Sequence, residues 1–99
     1  MFRHVVTFHW NSLSSPQHVA ALEEALAGLP GTLPGLRRYA FGPDVRINEG
    51  NGDFAVVAEF DDDAGYLTYR DDPEHMRIIQ TLIAPYLESR TAVQFDFED

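Results

Sequence analysis

Asp53-Phe54-Ala55-Val56-Val57-Ala58-Glu59-Phe60 is a near-continuous apolar run of strand length. A strand with one wet face alternates polar and apolar residues, so a run without that alternation predicts a strand in the middle of a sheet. The chain on either side supplies its neighbours. Pro43 through Asp53 reads as a polar, mobile loop rich in glycine and asparagine, and Leu36 to Gly42 as a strand following the punctuation Gly31-Thr32-Leu33-Pro34-Gly35. Upstream, Ser15-Pro16 opens a helix in which Val19, Leu22, Leu26 and Leu29 form one apolar stripe, ending in the Pro30-Gly31 region. Residues 2–10 alternate as a first strand, with Phe2, His4, Val6, Phe8 and Trp10 on one face and Arg3, Val5, Thr7 and His9 on the other.

Downstream of the run, Asp61 to Tyr69 begins a short helix, and Pro73 restarts helical structure to about Ala84, where Pro85 halts it. Thr91 to Phe97 closes the chain as a strand, with Val93, Phe95 and Phe97 alternating with polar residues. The order β-α-β-β-α-β is the split βαβ pattern. It predicts an α+β, ferredoxin-like fold in one domain spanning 1–99, with helices on one face of an antiparallel sheet. The other face carries Val5, Val93, Phe95 and Phe97, and a homodimer that packs sheet on sheet covers it most simply.

Composition narrows the function classes. Sixteen acidic against seven basic residues give a net charge of −9, which disfavours nucleic acid and anionic membrane surfaces as partners. All seven basic residues are arginine, so no lysine amine is available for Schiff-base chemistry. There is no cysteine, hence no disulfide framework and no thiolate centre. The acidic runs Asp61-Asp62-Asp63 and Asp71-Asp72 read as helix starts instead of metal ligands, and no paired-histidine spacing or glycine-rich phosphate loop appears. Neither a membrane-length apolar stretch nor a leader-like start is present, and the expected location is the cytoplasm. A chain of this size buries a modest core and gains from a partner subunit.

Tyr69-Arg70-Asp71-Asp72-Pro73-Glu74-His75 concentrates the candidate chemistry. Asp72 reads as an N-cap and Pro73 as the first helical residue, which puts His75 at the third. The positive end of the helix dipole disfavours imidazolium there, leaving the neutral imidazole a general base requires. Tyr69 supplies a phenol as hydrogen-bond donor, and His4 points toward the helices. His9 falls on the dimer face, and His18 sits where capping and solvent explain it.

Taken in order, Arg3-His4-Val5-Val6, Leu33-Pro34-Gly35-Leu36, Val57-Ala58-Glu59-Phe60 and the stretch from Tyr69 through Pro73 to His75 resemble the stress-responsive dimeric A/B barrel (Dabb) family over nearly the whole chain. The resemblance implies a homodimeric α/β barrel. In the family's catalytic branch it implies His75 as base, Tyr69 assisting and His4 near the same cavity. Asp72 and Phe54 depart from the catalytic relatives' pattern. The cavity expected between the helices and the sheet is lined by His4, Val6, Phe8, Phe54, Val56, Tyr66, Tyr69, His75 and Ile79, a mixture suited to a small carbonyl or ketide-like molecule.

Three function classes follow. The first is a cyclase, lyase or isomerase that needs no cofactor or metal, because a base and an enolate donor suffice for aldol-type chemistry. The second is a non-catalytic, stress-responsive binding protein. The third is a cofactor-free small monooxygenase of related architecture.

Overall fold

The structure is a computed structural model and describes residues 1–98. β1 (Phe2–Trp10) is followed by α1 (Pro16–Ala27), β2 (Leu36–Pro43), β3 (Phe54–Phe60), α2 (Asp63–Asp71), α3 (Pro73–Ile78) and β4 (Leu87–Asp96). The four strands form one antiparallel sheet in the order β2-β3-β1-β4. This is the ferredoxin-like α+β fold. The apolar run is an inner strand, paired with β1 on one side and β2 on the other.

Each helix starts where a side chain caps it. Ser15 accepts from the His18 amide, Asp62 from that of Gly65 and Asp72 from that of His75, so each cap satisfies a donor the helix itself leaves free. The second half of the acidic run is thus an N-cap and first turn. Asp61, its first member, takes two hydrogen bonds from Arg37 at 2.7 Å each. Asp53 lies just outside β3 and caps a strand instead, accepting from the Trp10 amide at 2.8 Å and from Arg46 at 2.8 Å.

The core lies between the sheet and the helices. Val6 and Phe8 of β1, Phe54, Val56, Ala58 and Phe60 of β3, and Leu22 and Leu26 of α1 are all buried there. Tyr39 and Phe41 of β2 pack against it. The opposite face of the sheet is open, with Val93 60% and Phe95 42% exposed. On that face Arg3 pairs with the buried Glu59 at 2.8 Å, and its guanidinium lies 4.2 Å from the centroid of the Phe97 ring. Burying a carboxylate is costly unless a cation accompanies it, and Arg3 supplies that cation.

Three expected boundaries shift. α1 stops at Ala27, and a 3₁₀ turn over Pro30–Thr32 follows. The second helical segment is not continuous: α3 ends at Ile78, a π turn spans Ile79–Ile83 and a 3₁₀ turn spans Ala84–Tyr86. Pro85 has no N–H for the carbonyl four residues earlier, so the regular ladder cannot reach it. β4 begins at Leu87, four residues before the expected Thr91, because the backbone of β1 continues the pairing through Thr7↔Thr91, Phe8↔Arg90 and His9↔Ser89 to Trp10↔Leu87. Among the described residues no helix is long and apolar enough to cross a membrane.

Candidate functional site

A cavity of about 390 Å³ opens between the sheet, α2, and the segment that runs from α3 through the π turn. β1 contributes His4, Val6 and Phe8, β3 contributes Val56, and α2 contributes Tyr66, Tyr69 and Arg70. His75 and Ile79 follow, then Ile83, Ala84, Leu87 and Arg90, with Leu26 of α1 behind. Eight of the nine expected lining residues are on this wall. Phe54 is not: it is buried in the core against Phe8, Trp10 and Phe41, with ring centroids 5.9–6.5 Å away. Its position beyond Val56 toward the loop end of β3 carries it past the cavity.

His75 is held by its backbone and one ring nitrogen. The Asp72 carboxylate accepts from its amide at 2.9 Å, and Nδ1 lies 3.3 Å from the Arg70 carbonyl. A carbonyl only accepts, so Nδ1 carries the proton and Nε2 of the neutral ring keeps a lone pair. Burial lowers the His75 pKa below the usual histidine value, outweighing the Arg70 carbonyl and the Asp72 carboxylate, which both raise it. The neutral form expected from the helix dipole therefore has a different main cause, desolvation.

His4 has the opposite tautomer. The Gln94 side-chain nitrogen donates to its Nδ1 at 3.0 Å, which puts the ring proton on Nε2. Burial, then the charges of Arg90 and His75, press its pKa down to about 4. At neutral pH His4 is thus an uncharged N–H donor.

Tyr69 packs against the His75 ring. Its ring centroid is 4.0 Å from that of His75 and 6.4 Å from that of His4. Its hydroxyl lies 3.0 Å from the hydroxyl of Tyr39. Burial is the chief reason that both phenols resist ionisation, with Tyr39 pushed up to about 12 and Tyr69 higher still. Tyr39 was not anticipated from the sequence; its alternation with Phe41 on β2 is the signal that puts both on the helix side of the sheet.

His18 departs from its expected solvent-facing place. Its ring is buried, stacked on Tyr86 at 3.7 Å between centroids, and its Nε2 donates to the Leu82 carbonyl at 2.6 Å while Nδ1 accepts from Ser14 Oγ at 2.8 Å. It ties α1 to the π turn that forms one cavity wall. His9 is exposed on the open sheet face. Among the described residues no group of three or more histidine, aspartate or glutamate side chains is placed to hold a metal ion.

The family model for the stress responsive A/B barrel domain matches residues 2–99. The chain belongs to this family. Among solved structures, this A/B barrel domain is similar to a dimeric ferredoxin-like protein of unknown function from Thermobifida fusca, with 43% identity, a TM-score of 0.91, and coverage of 97% of this chain and 90% of that one. A dimeric protein of unknown function and ferredoxin-like fold from Bacteroides fragilis is 25% identical, with a TM-score of 0.79 and coverage of 97% and 95%. A hydroxynitrile lyase from Passiflora edulis shares the fold at 17% identity, with a TM-score of 0.82 and coverage of 99% and 94%. No curated protein matches the sequence.

His4 of the A/B barrel domain makes a pH prediction. Below pH 6.5 the unfolded chain binds a proton at His4 that the folded chain refuses until about pH 4. The contribution of His4 to stability is therefore full above pH 6.5 and is lost as pH falls through that window, by about 2 kcal/mol once solvent reaching the cavity is allowed for. Denaturant melts of wild type and His4→Gln at stepped pH check this. The variant's stability is expected to fall less between pH 6.5 and 4, and parallel curves would contradict the assignment.

Proposed function

We propose that two copies of the chain pair through their open sheet faces, and that each holds a small carbonyl or ketide-like molecule in its cavity. There His75 acts as general base in a cyclisation, cleavage or isomerisation that needs no cofactor. The observation that carries this reading is the pair of neutral histidines lining one cavity with complementary tautomers, an acceptor at His75 Nε2 and a donor at His4 Nε2.

The chemistry follows from those two atoms. A substrate ketone oxygen accepts a hydrogen bond from His4 Nε2–H, and His75 Nε2 takes the proton from the carbon next to that ketone. The C–H electron pair becomes the enolate, whose charge His4 stabilises as it develops. In a cyclisation the enolate carbon bonds to a second carbonyl, and the alkoxide formed recovers the proton from His75. In an isomerisation the proton returns to a different carbon. Tyr69 assists by fixing the His75 ring, and Tyr39 holds the Tyr69 hydroxyl.

Pairing rests on the exposed apolar residues of the open face and on the dimeric relatives from Thermobifida fusca and Bacteroides fragilis. The fold also carries a hydroxynitrile lyase in Passiflora edulis, so the scaffold is compatible with lyase chemistry. A second reading, ligand binding without turnover, is favoured by the Tyr39–Tyr69 bond, which occupies the phenol otherwise available to substrate.

Native mass spectrometry of freshly purified protein, followed by a panel of small 1,3-dicarbonyl compounds, tests the proposal. The expected result is a dimer that carries or binds such a compound and converts at least one of them. A dimer that binds without converting any leaves the binding reading, and a monomer overturns the pairing.

A further inference from the structure

Among the described residues five of the seven arginines have a carboxylate partner: Arg3 with Glu59, Arg37 with Asp61, Arg46 with Asp53, Arg70 with Asp71 and Arg77 with Glu74. Arg90 has no carboxylate partner among the described residues, in a chain that carries 16 acidic side chains. It is also the arginine on the cavity wall with a free charge. Arg70, the other one there, has its guanidinium held by both oxygens of Asp71 at 2.8 and 3.1 Å.

Arg90 reaches the wall from β4, opposite Phe8, four residues before the Gln94 that sets the His4 tautomer. Both face the helices, and the charge of Arg90 is felt at His4. Val6 lies on the wall between them, with Phe8 opposite Arg90 and Leu87 beyond it. An apolar hollow with a neutral donor inside and one unpaired guanidinium at its rim is shaped for a molecule with a matching asymmetry.

We propose that the substrate class is an oxo acid, a small ketone bearing a carboxylate, with the carboxylate on the Arg90 guanidinium and the ketone oxygen on His4 Nε2–H. This rests on the reading above that the cavity binds a carbonyl compound. A guanidinium matches a carboxylate with two parallel N–H donors, and such charge-assisted pairs are shorter and stronger than neutral ones. Anchoring both ends fixes the chain of the ligand across the cavity and leaves the carbon beside the ketone toward His75. Esters and thioesters of the same acids lack the charge and lose the anchor. The net charge of −9 opposes anions at a distance, but screening over roughly 8 Å at physiological ionic strength leaves the nearby arginine in control inside the cavity.

The test uses 3-benzoylpropionate and its methyl ester, which differ by one charge, titrated against wild type, Arg90→Gln and Arg90→Lys while the His4 and His75 ring-proton NMR signals are followed. In wild type the acid is expected to bind at least about tenfold more tightly than the ester. Arg90→Gln should bring the acid to the affinity of the ester and leave the ester unchanged, and Arg90→Lys should restore part of the difference. Equal binding of acid and ester with a silent Arg90→Gln, or equal weakening of both, overturns the oxo-acid proposal and leaves the carbonyl-binding cavity standing. If neither compound moves either histidine, both readings are overturned.

Discussion

Phe60→Ala is expected to destabilise the fold by about 3–5 kcal/mol, the range for emptying a fully buried phenylalanine site. Phe60 has no exposed surface, and its ring contacts those of Phe2, Tyr66 and Tyr69 at centroid distances of 6.4, 5.9 and 5.4 Å. The helix above cannot settle readily into the gap. Gly65 already brings α2 so near that a Cβ there would lie 3.3 Å from the Phe60 Cβ, and Asp62 pins the helix start through the Gly65 amide. For a small domain with roughly 5–15 kcal/mol in total, such a loss takes much of the reserve. Urea denaturation checks it: the midpoint should fall sharply with an unchanged slope. A loss near 1 kcal/mol would show that α2 collapses into the space after all.

The second large effect concerns chemistry. On a compound that the wild type converts, His75→Gln should lower turnover by about 10²–10⁴-fold, the usual worth of a positioned general base. Glutamine keeps much of the volume and the backbone amide that Asp72 caps, so the fold should survive. Wild-type activity should also have its acid limb below the ordinary histidine range, because burial depresses the His75 pKa and keeps Nε2 unprotonated at lower pH. A folded His75→Gln variant with the full rate would remove His75 from the reaction. An acid limb above pH 6.5 would assign the essential base to another group.

Much of this site can be traced from local sequence rules. Asp72-Pro73 sets the helix start and so the place of His75, and alternation along β1 turns His4, Val6 and Phe8 to one side. Arg90 escaped the same rules because Leu87-Glu88-Ser89-Arg90 shows no strand-like alternation. That stretch is a strand because β1 offers it a partner backbone. Phe54 obeys the alternation but lies too far along β3, and alternation reports a face without reporting a position on it.

What the sequence by itself determined is the set of elements, their order and the faces they present, because capping, proline and glycine punctuation and hydrophobic period act over a few residues at a time. Tertiary structure decided the states of the groups in the cavity. The His4 tautomer depends on Gln94, the His75 basicity on burial, the Tyr69 hydroxyl on Tyr39, and the His18 ring on Tyr86 and the Leu82 carbonyl. Several of these partners are remote in the chain, and desolvation depends on everything packed around a group, so no local pattern could encode either.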